Sequence, residues 1–226
     1  LEFRRVLFRS STDPKGEPLN NEQKRSWFAN ATFRRAIAAA IDRETIARIT
    51  LQGLATPLNG FVSPANKAWA SPELSPIMYD LSAADKMLAE AGFTKGGNAD
   101  APVLADAQGN RVEFSLLVPT ENEPRKLMAA VIQQDLARLG IKMSVVPVEF
   151  GALTEKWSKS YDYDAVLLGI SQGDVEPTSY GGFLQSSGPL HQWQPLQKST
   201  GTDWEARIDT LFEAQAAERE IGRAHV

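Results

Sequence analysis

Four consecutive stretches decide the fold: RVEFSLLV (residues 111–118), NEPRKLMAAVIQQDLARLG (122–140), IKMSVVPVEF (141–150) and YDAVLLG (163–169). The first reads as a strand led in by the Gly109-Asn110 turn. In the second, Asn122 and Pro124 open a helix along which Leu127, Met128, Val131, Ile132, Leu136 and Leu139 line one stripe until Gly140. The third is another strand, followed by a short helix over Ala152–Lys159, and the fourth is an almost wholly apolar strand. Strand, helix, strand, helix, strand predicts parallel pairing through right-handed crossovers. The unbroken apolar run Ala165–Leu168 predicts a strand covered on both faces. The expected fold class is therefore α/β, with a mostly parallel sheet flanked by helices.

Upstream, FANATFRRAIAAAIDRETIARITLQG (28–53) puts Phe33, Ile37, Ala40 and Ile41 on one helical face, with Arg34 and Arg35 off it. Asp42 is placed to cap a second helix that ends at Gly53. Pro57, Pro64, Pro72 and Pro76 then make Gly53–Pro76 an extended connection. Ser82 with Asp85 reads as a capping box for a helix that turns Met87, Leu88 and Ala91 inward and stops at Gly92. Lys95–Asp100 reads as a turn-rich loop. Downstream, Thr202 and Glu205 form a second capping box, opening a helix with inner face Trp204, Ile208, Leu211 and Phe212. No internal repeat is present.

The 226 residues contain no Cys, which excludes a disulfide scaffold, a thiolate zinc site and a thiol nucleophile. The apolar runs Ala36–Ile41 and Ala165–Ile170 fall far short of the roughly 20 residues a membrane-spanning helix needs. A net charge of −4 offers no basic face to nucleic acid. The two ends stand apart from the rest. LEFRRVLFRS (1–10) and IGRAHV (221–226) are the translations expected of one sequencing-adapter oligonucleotide read in opposite directions, so both segments are expected to be non-native. On that reading residues 11–27 form a linker or partial hinge, residues 28–220 form one lobe, and both natural termini are missing. Without the ends the charge balance is 20 basic against 27 acidic residues. Deleting them is expected to leave the melting temperature unchanged or higher.

Chemistry-bearing constellations are sparse. His191 is the one histidine outside the ends and reads as a polar loop residue, so no metal site and no Ser-His-Asp triad is expected. Phosphate-cradling glycine loops are absent, and no cofactor is expected. Asp174 and Glu176 lie just past the strand ending at Gly169, at the carboxyl end of a parallel sheet where ligands dock in open α/β folds. Paired carboxylates also suit acid–base chemistry, which makes a carboxylate-based hydrolase the competing reading. The helix start near Asn122 lies at the same edge, where its N–H groups either meet an anion or are capped. Trp193 and Trp69 stand in polar loops, where an indole either stacks on a ligand or packs under the loop, whereas Trp157 and Trp204 read as core.

Read together, FANATFRRAIAAAIDRETIARITLQGLATP (28–57), YDLSAADKMLAEAGF (79–93), AAVIQQDLARLGIKMSVVPVEF (129–150), YDYDAVLLGISQGDVEPTSY (161–180) and WEARIDTLFEAQ (204–215) resemble extracellular solute-binding proteins of family 5, the dipeptide, oligopeptide and nickel-type receptors of ABC importers. The resemblance implies a type II periplasmic-binding-protein-like lobe, here the C-terminal lobe of an incomplete two-lobed fold. Such a protein closes over a small solute and delivers it intact to membrane permease subunits. It implies a monomer with no catalytic residue, located in the periplasm or outside the cell, with membrane anchorage left open. Hinge closure by this lobe alone is not expected. A sensory receptor domain is a further alternative.

Solute contacts are expected from Gly169, Ile170, Gly173, Asp174, Glu176 and Trp193. Peptide-binding members of the family typically carry Gly-Trp after the strand, then an Asp three residues on that holds the peptide amine. Here Gly169 is kept, Ile170 stands for the Trp, and Gly173 falls at the Asp position with Asp174 one residue later. Oligopeptide-type members also carry an Arg where this chain has Leu167. Losing both charges alters which ligand charges a cleft can accept. Either Asp174 substitutes through a shifted loop, or the solute, peptide-like or other, is not an ordinary α-amino peptide, and the second is the favoured expectation.

Overall fold

The computed structural model describes residues 4–8, 22–58, 60–71, 73–169, 177–194, 197 and 199–217. They divide into two compact units. The larger holds 4–8, 22–57 and 77–169, and the smaller holds the described residues of 58–76 and 177–217.

In the larger unit, β1 (Arg4–Phe8) precedes a helical layer of α1 (Glu22–Ala29), α2 (Ala31–Ala40), α3 (Arg43–Thr50) and α4 (Leu81–Glu90). Then come the hairpin β2 (Thr94–Gly97) and β3 (Pro102–Ala105), and the units β4 (Glu113–Pro119), α5 (Glu123–Arg138), β5 (Lys142–Val148), α6 (Phe150–Glu155) and β6 (Ala165–Gly169). A wider helical turn continues α6 through Lys156–Ser160. The main sheet has the order β1-β6-β4-β5. As the sequence predicts, β4 is parallel to both β5 and β6. The segment expected to be foreign, Arg4–Phe8, lies antiparallel along the outer edge of β6, from Arg4 opposite Gly169 to Phe8 opposite Ala165.

Alternation along β4 and β6 separates two apolar cores. Phe114, Leu116, Val118, Ala165 and Leu167 face one cluster with Phe28, Phe33, Ile37, Leu88, Met128, Ile132 and Leu136 of the helices. Leu117, Val166 and Leu168 face the other, with Leu153 and Tyr163 and with Val148 and Trp157 packed against it. The four residues Ala165–Leu168 are all buried, as their apolar run requires.

Local chemistry sets several boundaries. Asn30, Asp42 and Asp80 cap α2, α3 and α4 by accepting N–H groups of their first turns. The α4 cap is thus Asp80, not Ser82, because Asp80 accepts from Ala83, two residues earlier than the predicted box. Gly92 then ends α4 with a positive φ of +87°, and the N–H of Phe93 returns to the carbonyl of Leu88. Gly140 also has a positive φ, and a Cβ there would meet Leu104 N at 2.6 Å, so only glycine lets α5 end against the hairpin.

Three expectations for this unit need correction. Residues 22–27, read as linker, belong to α1, where Trp27 is buried and donates its indole N–H to Asp106 at 3.0 Å. Lys95–Gly97, read as loop, pair with β3; all four β2 residues are exposed, so no apolar alternation marks the strand. On α5, Leu127 is 54% exposed while Arg125, Ala129 and Asp135 are buried. Met128, Ile132, Leu136 and Leu139 are buried as predicted, and the buried face extends to Asp135, which accepts the backbone N–H of Asp42 at 3.0 Å and ties α5 to the α2–α3 junction.

The smaller unit contains a 3-10 turn (Pro177–Tyr180), α7 (Gly181–Leu184) and α8 (Asp203–Ala217). The predicted inner face of α8 is not its buried face: Trp204 and Leu211 are about half exposed, and the buried residue of the helix is Glu205.

Candidate functional site

The carboxyl end of the parallel strands is built from the larger unit. Pro119 of β4 stands in register with Val148 of β5, and the N–H of Thr120 reaches the carbonyl of Val148 at 2.9 Å. Both helices that open here are capped by side chains. Asn122 accepts the N–H of Arg125 at 3.0 Å, which favours the capped reading of that helix start over the anion-binding one. Glu149 accepts the N–H groups of Gly151 and Ala152 at 2.8 and 2.9 Å, and these bonds hold its carboxyl below the usual value. Glu121 accepts the N–H of Phe150 at 3.4 Å, leaving the Phe150 ring half exposed at this edge.

Gly169 closes β6, half-buried, at the same end of the sheet. Ile170, Gly173, Asp174 and Glu176 lie outside the described residues.

Trp193, in the smaller unit, belongs to a cluster centred on Glu205. This carboxylate is 2% exposed, yet both oxygens are engaged. Oε1 accepts the Trp193 indole N–H at 2.9 Å and lies 3.2 Å from His191 Nε2; Oε2 accepts the Gly201 N–H at 2.8 Å. His191 Nδ1 faces the carbonyl of Phe183 at 3.3 Å. Burial pushes the Glu205 carboxyl up, but Trp193, Gly201, His191 and the Thr202 hydroxyl outweigh it and bring it down to about 2. The Trp193 ring stands 3.9 Å from that of His191 and 5.7 Å from that of Trp204, centroid to centroid.

His191 lies in a loop as expected, but it is buried at 1% exposure and bonded at both nitrogens. Sequence reasoning treated Glu205 only as a capping residue. The N–H of Glu205 does reach Thr202 Oγ1 at 3.3 Å, but its carboxylate turns to His191, Trp193 and Gly201 instead of out to solvent. The available signal was the nearness of three donors, His191, Trp193 and the Gly201 backbone, to one acid. No group of His, Asp and Glu among the described residues is arranged to hold a metal ion.

Comparison with known proteins places this α/β architecture. The model of the bacterial extracellular solute-binding proteins, family 5 Middle, matches residues 5–191, and the chain belongs to that family. It is 31% identical over 211 residues to a probable ABC transporter-binding protein of Deinococcus radiodurans, covering 88% of this chain and 35% of the relative. It is 30% identical over 168 residues to the oligopeptide-binding protein AppA of Bacillus subtilis, covering 73% and 30%. The chain thus spans about a third of the length of these curated relatives. The structure of Bacillus subtilis AppA in complex with a nonapeptide superposes with a TM-score of 0.76 at 23% identity, over 100% of this chain and 40% of that one. The periplasmic binding protein MelB of Agrobacterium fabrum in complex with stachyose gives 0.81 at 17% identity, over 98% and 34%. The fold is that of type II periplasmic binding proteins, of which this chain represents part. No helix among the described residues is long and apolar enough to cross a membrane.

Proposed function

We propose that this chain is the solute-capturing part of an ABC importer's binding protein, acting outside the cytoplasmic membrane as a monomer and passing its solute unchanged to permease subunits. The observation that carries the reading is a parallel β5-β4-β6 sheet, within a family 5 match, whose strands run out together at one edge. The proposed solute contacts are Gly169 at the end of β6, then Ile170, Gly173, Asp174 and Glu176, and Trp193. Capture works by differential affinity for the closed two-lobed state, so the chemistry asked of these residues is recognition. Neighbours of the same fold hold a nonapeptide and an oligosaccharide, so the fold does not restrict the solute class. Ile170 and Gly173, in place of the family's Trp and Asp, argue against an ordinary α-amino peptide.

The test is an amide NMR titration of the two-lobed protein that carries this chain with trileucine, trilysine and raffinose, followed by mass spectrometry of the recovered solute. Saturable shifts at Gly169–Glu176 with intact solute support capture. Turnover that disappears in Asp174→Asn would replace it with the hydrolase reading, and silence toward all three probes would count against capture by this chain.

A further inference from the structure

We infer that Glu205 is the positioning residue for Trp193, fixing that indole in a single orientation for solute contact. This rests on the reading of Trp193 as a solute contact and goes beyond it by naming what prepares the contact. An ordinary capping-box glutamate lies on the helix surface and reaches back to the cap N–H. Glu205 instead is buried, and its Oε1 engages Trp193 and His191 while its Oε2 engages Gly201. Burying an ionised carboxylate is unfavourable unless every lone pair finds a donor, and an apolar residue would fill the same space without that cost. What the carboxylate adds is direction. The indole N–H is the only polar atom of Trp193, and pinning it while His191 packs at 3.9 Å and Trp204 at 5.7 Å restricts the ring's rotation. A recognition side chain locked before binding loses less conformational entropy on binding. The other oxygen holds the N–H of Gly201, so one side chain fixes both the ring and the backbone just before α8.

The experiment is a double-mutant cycle on the full chain, read with trileucine, trilysine and raffinose by NMR titration and by the Trp193 indole resonance. Glu205→Gln keeps the shape and removes the charge. It is expected to shift that resonance and to weaken the best-bound probe by about fivefold or more. Trp193→Ala added to Glu205→Gln should then weaken it little further. Ser186→Ala, which removes a hydroxyl bonded to Asp209 of the same helix, is the stability control and should leave probe affinity unchanged. Additive losses, or an unmoved indole resonance in Glu205→Gln, would overturn the inference while leaving capture standing. If no probe binds, the capture reading falls and takes this inference with it.

Discussion

Lys24 Nζ lies 2.7 Å from Asp164 Oδ2, and that same oxygen accepts the backbone N–H and the hydroxyl of Ser115, both at 2.9 Å. Asp164 immediately precedes β6, and the β4–β6 ladder begins one step later at Leu116 and Ala165. One carboxylate thus ties α1, β4 and the entry to β6 together, and it sets where the buried strand starts. Removing it leaves three donors in a poorly solvated place. Asp164→Ala is expected to lose about 2–4 kcal/mol in urea unfolding, and Lys24→Met less than half as much. Equal stability of Asp164→Ala and the parent would mean that the contact does not hold the strand.

The Glu205 carboxyl, at about 2 when folded against an ordinary value of 4.5, is depressed by folding. Its contribution is therefore fully present above about pH 4.5 and is lost as pH falls toward 2. The smaller unit should lose stability across that window, followed by tryptophan fluorescence at fixed urea. In Glu205→Gln this part of the acid dependence should vanish. A parallel acid profile in the variant would contradict it.

Burial separates two leucines of the stripe predicted for α5. Leu136 is fully buried and Leu127 is 54% exposed. Leu136→Ala should cost about 2–5 kcal/mol, whereas Leu127→Ala should stay within about 0.5 kcal/mol of the parent. Chemical denaturation of both variants checks the helix orientation directly, since the stripe predicted from sequence gives both residues the same weight.

The terminal segment gives an opposite expectation once its structure is known. Five residue pairs join Arg4–Phe8 to β6, so deletion of residues 1–10 exposes a strand edge. The truncated chain should melt lower and associate with rising concentration, measured by calorimetry and light scattering. An unchanged melting temperature would instead favour the foreign-segment reading.

What could be read in advance follows from how local each signal is. Ala165–Leu168 announced its place because a strand buried on both faces needs no partner to reveal itself. The α3 cap was legible because Asp42 acts within one turn. Most of the α5 stripe was legible too, since Met128, Ile132, Leu136 and Leu139 are buried, but Asp135 looks solvent-bound until Asp42 arrives from 93 residues away. The β2 strand carries Lys95, Gly96 and Gly97, which pair by backbone alone. At the candidate site, Gly169 could be placed from the end of an apolar run, whereas the Glu205 cluster joins donors across 14 residues with no periodicity to betray it.

Because neighbouring side chains of β6 belong to separate cores, the strand cannot slide along its partners. A shift by one residue would send Val166 and Leu168 into the space shaped for Ala165 and Leu167, and would strand the others on the wrong side. Gly169 is therefore moored, like the end of a beam built into two walls.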